Sequence, residues 1–441
     1  MTGNLSAAGI RAVPAGNPAE WPTVNEAFEA AAPAKAASLP DDLARGVYCV
    51  LGMPIDAIDM PMALARIEAA AQGAAPYLIS TPNLNFLVNS LTDPQFRASL
   101  LLSDLSTADG MPIVWIARLL GIPVKARIAG SSIFEALASR SAARKRLGVF
   151  MFGGGEGVAA RAARAMNAQG STLSCVGSLY PGFGTLDDMS NAEVIEAINA
   201  SKAAFLVVAL GAAKGQSWLM RNHDRIKVPV RAHLGAVINF QAGSVKRAPT
   251  VMQKLGLEWL WRIKEEPRLW NRYWADGKML LRLLLTRVLP LAAHAQMAKF
   301  TSSNQQRPLR VSAMEQRGSI TLKLSGDAIE HDINLAIGHF RDALAKATDQ
   351  VILDIDGVTA VDQRFLGLLL MLRKSSDKQG AALKIIGASR SVQRSFRLNE
   401  VDYLLRPSSQ RRPAAIREKG VEKLSASSNS SDNGPAEGLL N

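Results

Sequence analysis

FLVVAL, residues 205–210, is the run that decides the fold. It carries no polar alternation, so as a strand it is covered on both faces, as strands of a parallel sheet are. Four more short apolar runs accompany it: YLIS (77–80), LGVFMF (147–152), TLSCVG (172–177) and VRAHLG (230–235). Between them lie segments of helical character, PMALARIEAAA (61–71), PIVWIARLL (112–120), GVAARAARAMNA (157–168) and AEVIEAINA (192–200). This alternation predicts an α/β domain over residues 46–245, a mainly parallel sheet with helices on both faces.

On either side the pattern changes. Residues 1–45 are rich in Ala, Pro and Gly without a period and read as a disordered or loosely held lead. Residues 246–300 turn to basic helix and hold Trp259, Trp261, Trp270 and Trp274, four of the seven tryptophans. Over 246–295, ten Lys and Arg face four Asp and Glu. Indole beside guanidinium suits a surface where hydrocarbon meets phosphate, which describes both a lipid–water interface and a nucleic acid. Within MLLRLLLTRVLPLAAHA (279–295), Arg282 and Arg287 interrupt the apolar run and Pro290 is expected to kink it, so it reads as interfacial rather than spanning. Residues 301–317 read as a linker. A second, smaller α/β pattern fills 318–405: strands at ITLKLSG (320–326), VILDIDG (351–357) and ALKIIGA (382–388), helices at NLAIGHFRDALAKA (334–347) and FLGLLLMLRKSSDK (365–378). Residues 406–441 read as a disordered tail.

The totals bound the function. A chain of 441 residues suggests two or three domains, and its 48% hydrophobic content can build their cores. Two cysteines, Cys49 and Cys175, supply neither a disulfide framework nor a thiolate metal site and fit a reducing cytoplasm. The five histidines show no metal-ligand spacing. A net charge of +13 and a pI near 9.9 point to an anionic partner, a nucleotide, nucleic acid or acidic membrane, against the plainer reading of solubility alone. The start, MTGNLSAAGIRAVPAGNPAEW, lacks the basic region and apolar core of a signal peptide.

In an open parallel sheet ligands bind beyond the carboxyl ends of the strands, so polar groups just after each strand are the candidates. Thr81 and Asn83 follow YLIS; they can cap the next helix or hydrogen-bond sugar hydroxyls. Asp109 sits in Ala108-Asp109-Gly110-Met111-Pro112; it is a turn residue or a general base that takes a proton from an acceptor hydroxyl. Arg127 precedes Gly130-Ser131-Ser132; it is a surface arginine or the holder of a diphosphate. Gly153, Gly154 and Gly155 open a helix after a strand, a position that suits nucleotide phosphate or ribose, although the spacing is neither GxGxxG nor a Walker motif. Tyr180, in Gly177-Ser178-Leu179-Tyr180-Pro181-Gly182-Phe183-Gly184, is placed to wrap a base or sugar. Lys214 and Gln216, after FLVVAL, are placed to meet phosphate or sugar. No GxSxG or triad order supports nucleophilic hydrolysis.

Taken in order, LGMPIDAIDMPMALARI, TPNLN, ADGMPIVW, RIAGSS, GGGEGVA, GSLYPGFG, FLVVALGAAKGQSW and GAVINFQAGSVKRAP followed by GLEWLWRIKEEPRLWNRY resemble the WecG/TagA/CpsF group of bacterial glycosyltransferases (family 26) over about residues 48–275. LGMPIDAIDMPMALARI resembles that family's opening strand and helix. The resemblance implies a Rossmann-like domain that moves a hexose-type sugar, N-acetylmannosamine-like, glucosyl or uronic, from a UDP-sugar to a polyprenyl-diphosphate-linked saccharide in cell-surface or exopolysaccharide synthesis. It implies inversion at the anomeric carbon, no metal ion and no cofactor. It implies Asp109 as base, Thr81 and Asn83 as the polar pair near the acceptor, and Arg127 on the leaving diphosphate. The basic helices, with Arg262, Arg268 and Arg272 meeting phosphate, match an appendage that docks on the membrane and helps close the site. Two departures stand out: Ser132 where the family commonly has Asp, and Ala213-Lys214-Gly215-Gln216 where it commonly has Pro-Lys-Gln-Glu. Residues 318–405 resemble a STAS domain. There Asp362 is followed by Gln363 rather than a phosphorylatable serine, so the domain reads as a docking or regulatory module for a protein partner, without the phospho-switch.

With these motifs in hand, 246–295 reads as membrane-binding rather than nucleic-acid-binding. Basic residues near an anionic surface contribute roughly 1 kcal/mol each, and no helix-turn-helix or RNA-binding motif is present. The expected location is peripheral, on the cytoplasmic face of the bacterial inner membrane. The alternative is a STAS-based regulatory binding protein with a degenerate nucleotide-binding front domain. A nicotinamide oxidoreductase lacks its dinucleotide fingerprint.

Overall fold

The structure, a computed structural model, describes residues 41–140, 146–254, 256–301, 307–316, 318–346 and 349–406. Most of the expected lead and tail, and residues 302–306 and 317 of the expected linker, lie outside the described residues.

The chain enters through a short 3-10 turn, Asp42–Ala44, and a hairpin of β1 (Val47–Val50) and β2 (Met53–Asp56). LGMPID therefore supplies the turn and the second strand of an antiparallel hairpin that stands apart from the main sheet. Its two turn residues, Leu51 and Gly52, both have positive φ (47° and 85°), the backbone that a tight right-twisting hairpin requires. Residues 41–45, expected in the lead, are ordered, with Leu43 and Arg45 buried.

Helix α1 (Met60–Gln72) leads to the sheet strands, with their helices following in order: β3 (Tyr77–Ser80), α2 (Leu84–Thr92), α3 (Pro94–Leu101), β4 (Leu105–Ser106), α4 (Met111–Leu119), α5 (Gly130–Ala138), β5 (Leu147–Gly153), α6 (Val158–Ala168), β6 (Leu173–Leu179), α7 (Ala192–Ala200), β7 (Phe205–Ala209), α8 (Ala212–Arg221), β8 (Val230–His233) and α9 (Gly235–Gln241). The six strands run parallel in the order β4-β3-β8-β7-β5-β6. The apolar run at 205–209 is central and buried along its length, as its lack of alternation requires. Helices cover both faces, and the fold is the expected Rossmann-like one.

Beyond α9 come α10 (Thr250–Lys254), α11 (Glu258–Glu265), a 3-10 turn at Pro267–Leu269, and a long helical rod of α12 (Trp270–Leu283), a π turn (Leu284–Val288) and α13 (Leu289–Thr301). At Pro290, where a kink is expected, the helix continues. Proline has no N–H and crowds the carbonyl four residues back; the π turn just before it widens the ladder where that bond is lost. No helix among the described residues is long and apolar enough to cross a membrane.

The C-terminal domain has β9 (Arg310–Gln316), β10 (Ser319–Ala328), α14 (Ile333–Ala345), β11 (Gln350–Val361), α15 (Gln363–Gln379), β12 (Ala382–Ile386) and α16 (Arg390–Leu398). Its sheet order is β12-β11-β10-β9, parallel except for the β9–β10 pair. Residues 310–316, expected in the linker, are thus an edge strand. Nearly every residue of β9 is exposed, so it shows no buried-face alternation.

The two domains share a core. Leu43, Val47 and Cys49 pack into the same apolar cluster as the C-terminal sheet. Helix α15 lies between that sheet and the hairpin, and Gly367 lets them meet: a Cβ there would sit 2.2 Å from the Val47 carbonyl oxygen. Polar bonds close the seam. Arg364 donates to the Val47 carbonyl (3.0 Å), Arg287 to Glu400 (2.6 Å), and the fully buried Lys374 to Asp42 and Asp104 (both 2.7 Å).

Candidate active site

Because the strands are parallel, the loops after β3, β4, β5, β6, β7 and β8 all emerge at one end of the sheet. The loops after β3 and β4 are laced together. The Asp109 N–H donates to the Pro82 carbonyl (2.8 Å), Thr107 Oγ1 to the Ile128 carbonyl (3.0 Å), and the Ile128 N–H to the Ala108 carbonyl (2.9 Å). This brings Thr81, Asn83, Asp109 and Arg127 to one corner. Asn83 caps α2, its Oδ1 accepting from the Phe86 N–H (3.1 Å), which leaves its amide hydrogens without a partner among the described residues. Thr81 is buried against the start of α5, where a Cβ on Gly130 would lie 3.4 Å from Thr81 Oγ1 and 2.3 Å from Leu234.

Asp109 is 24% exposed, and the Arg127 Nε lies 3.9 Å from it. Burial pushes its carboxyl up to about 6; Arg127 and Arg262 pull against that shift, and the Glu258 carboxylate adds to it. Such a value suits a base near neutral pH. Arg127 is not free: both terminal nitrogens donate to Glu258 of α11, at 2.6 and 2.9 Å. A carboxylate thus occupies the fork that the sequence assigned to a diphosphate. Glu258 and Arg127 stand 131 positions apart, and nothing local in the sequence pairs them.

The appendage reaches the same corner by a second route. Asp276 of α12 is buried, and Asn85 of α2 donates to it at 3.5 Å. Burial raises the Asp276 pKa, and Arg272 opposes the shift. Arg262 lies 5.8 Å from the Phe240 ring and within electrostatic range of Asp109. The side chain of Arg268 lies outside the described residues. Trp261 donates to the Lys246 carbonyl (2.9 Å), whereas Trp270 and Trp274 stack on one another (6.0 Å between centroids) and are 50% and 58% exposed. With the exposed Leu281, Leu285 and Leu289 they form an apolar stripe along the rod.

The other expected residues divide. Gly153 is required by close approach: a Cβ there would sit 2.4 Å from the Ala209 carbonyl oxygen, to which the Gly154 N–H also donates (2.8 Å). With Gly155 this turn opens α6. Tyr180 meets Phe183 edge to face at 6.2 Å, and Phe183 is 94% exposed. Lys214 is engaged, donating to the Gly184 carbonyl at 2.6 Å and closing the Tyr180 loop onto α8. Gln216 is a correction. It is fully buried behind the rim, its Nε2 donating to Ser80 Oγ (2.9 Å). Two residues along a helix turn the side chain by about 200°, so Lys214 and Gln216 cannot both face the rim. Ser132 accepts from Arg247 (2.9 Å), which also pairs with Glu135.

His233, at the end of β8, has no role in the sequence reading. Its ring lies over Gly215, where a Cβ would meet His233 Cδ2 at 2.1 Å. Gly215 is therefore the residue that His233 requires, and a glutamine at that position would collide with it. Burial drives the imidazole down to about 4, so it is neutral. Among the described residues its Nε2 and Gln216 Oε1 are buried polar atoms without partners. Among the described residues no group of three His, Cys, Asp or Glu is placed to hold a metal ion.

Residues 48–293 match the model of the glycosyl transferase WecG/TagA/CpsF family, and residues 311–406 match a STAS domain model. An N-acetylglucosaminyldiphosphoundecaprenol N-acetyl-beta-D-mannosaminyltransferase of Bacillus spizizenii is 27% identical over 213 residues, 47% of this chain and 78% of the relative. Among solved structures, the anti-sigma factor antagonist SpoIIAA in its unphosphorylated form is 14% identical, with 20% of this chain and 81% of that chain covered at a TM-score of 0.18. The anion transporter SLC26A9 is 13% identical, with 42% and 34% covered at a TM-score of 0.18.

Proposed function

The chain belongs to the WecG/TagA/CpsF glycosyl transferase family, and from that premise we propose that it moves an N-acetylmannosamine-type sugar from a UDP-sugar to a polyprenyl-diphosphate-linked N-acetylglucosamine. The acceptor and sugar follow the activity named for the Bacillus spizizenii relative. The observation that carries the reading is Asp109: a carboxyl raised to about 6, 3.9 Å from an arginine, at the carboxyl end of a parallel sheet.

The reaction runs in one displacement. Asp109 takes the proton of the acceptor hydroxyl as that oxygen bonds to the anomeric carbon from the face opposite UDP, and the bond to UDP breaks with its electron pair on the diphosphate. The attack inverts the anomeric centre. Arg127 and Arg262 stabilise the charge that gathers on the leaving diphosphate, a role that needs no metal ion. Arg127 reaches the diphosphate when the substrate oxygens displace Glu258, so donor binding and the seating of α11 are coupled. Thr81, Asn83 and Asp276 lie on the acceptor side of Asp109, and the Gly153–Gly155 turn with Tyr180 on the nucleotide side. The stripe from Trp270 to Leu289 and the appendage arginines hold the site against the cytoplasmic face of the membrane, where the lipid diphosphate resides.

The STAS-like domain is part of the enzyme's frame. Its α15 packs on the transferase hairpin, and Lys374 and Arg364 bind the front domain directly. This favours an enzyme with an integral second domain over a regulator with a degenerate front domain.

The test is transfer itself. Purified protein, UDP-N-acetylmannosamine and a short polyprenyl-diphosphate N-acetylglucosamine should give a product one N-acetylhexosamine heavier by mass spectrometry, unchanged by EDTA. A panel of UDP-sugars yielding no product would refute the assignment, and EDTA-sensitive product would refute metal independence. Trp270→Ala combined with Trp274→Ala should cut pelleting with anionic vesicles several-fold; unchanged pelleting would remove the stripe from membrane docking.

A further inference from the structure

The C-terminal helix α16 has two unlike faces. Val392 and Phe396 are buried in its own domain. Arg390, Arg394 and Arg397, spaced at i, i+4 and i+7, share the other face and are exposed. Together with Arg287 of the π turn, and with Gln393 and Leu398, they line a cavity of about 500 Å³ where the C-terminal domain meets the long rod. None of these residues belongs to the Asp109–Arg127 corner.

The charges in this cavity are not balanced. Arg287 is paired with Glu400. Among the described residues Arg390, Arg394 and Arg397 have no carboxylate or other partner. Like charges one helical turn apart repel, and the positive end of the α16 dipole at Arg390 adds to the excess. A bound anion relieves both. Guanidinium forks match phosphate oxygens two at a time, and the volume lies within the roughly 300–1,000 Å³ of ordinary ligand sites.

We propose that this cavity binds a phosphate-bearing anion. Bound there, the anion bridges the STAS-like domain and the membrane-facing rod, because Arg287 comes from one and α16 from the other. The same chemistry is offered by an anionic lipid headgroup and by a free phosphate or diphosphate.

The test uses the full chain and two probes. Inorganic pyrophosphate is titrated calorimetrically, and vesicles of phosphatidylglycerol or phosphatidylcholine are used for co-sedimentation. Arg394→Ala with Arg397→Ala removes two exposed side chains and should leave the melting temperature unchanged. Arg310→Ala with Lys323→Ala removes the same charge from the β9–β10 pair of that domain, outside the cavity, where both residues are exposed. The expected result is a loss of at least about tenfold in affinity for one probe in the α16 variant and none in the control. Loss confined to pyrophosphate assigns a free anion; loss confined to phosphatidylglycerol vesicles assigns a headgroup. No binding of either probe by the wild type, binding by the α16 variant equal to wild type, or an equal loss in the control would overturn the site.

Discussion

Two clusters of carboxylates and cations sit in this molecule, one at the seam between the domains and one at the candidate active site. At the seam, Lys374 spends its three donors on Asp42, Asp104 and the Ser103 carbonyl. Burial alone would raise the Asp42 carboxyl, but Lys374, Arg45 and Lys378 outweigh it and hold that group at about 2. At the site burial is again the largest influence, but the cations are fewer and Arg127 is shared with Glu258. Asp109 therefore rises to about 6. A buried carboxylate with enough cations is a weld; with too few it is a proton acceptor.

The largest effect on stability is expected from Lys374→Met, which takes the buried ammonium from Asp42 and Asp104 and leaves them only Arg45 and the exposed Lys378. Removing one partner of a buried pair costs about 3–5 kcal/mol, so the melting temperature should fall steeply. A loss under about 1 kcal/mol would make the seam incidental. Next is the pH dependence of stability, where the clusters act with opposite sign. The folded value of Asp42 lies below the ordinary 3.8, so its stabilisation is complete above about 4 and is lost as the pH falls toward 2. The folded value of Asp109 lies above 3.8, so its ionisation works against folding, and stability falls by about 2 kcal/mol as the pH rises from about 4 to 6. Denaturant titrations of wild type and Asp109→Asn across that window should differ in slope; parallel curves would mean that the Asp109 carboxyl is not raised. The smallest effect is Glu258→Gln. It loosens the grip on Arg127 and removes a charge that raises Asp109. The KM for the UDP-sugar should fall about fivefold, for roughly 1 kcal/mol of competing hydrogen bond, and the acid limb of the rate profile should move down. A KM that rises instead would make Glu258 a substrate ligand.

Much of the front domain could be read from the chain because its strands are continuous apolar runs: YLIS and the run from Phe205 to Ala209 are strands within a residue of their sequence bounds. The hairpin and β9 were not readable. Val47–Val50 is buried against a helix more than 300 positions away, and β9 is an edge strand held by pairing rather than by a buried face. In the site, Asp109 stood out because it follows a strand in a turn, and Arg127 because it precedes a helix start. Glu258, Asp276 and His233 did not, since their meaning comes from contacts across the fold. Gln216 had a readable signal, its helical spacing from Lys214. Pro290 signalled a kink, but the π turn that accommodates it has no sequence mark of its own.

Whether burial makes Asp109 the base is decided by Asp109→Asn, with turnover and melting measured on the same preparation. Transfer from UDP-N-acetylmannosamine should fall by about 10²–10⁴-fold at pH 7 while the melting temperature rises, because a charge held in a partly desolvated place has been removed. Transfer at the wild-type rate, or a fall in transfer accompanied by a fall in melting temperature, would contradict it.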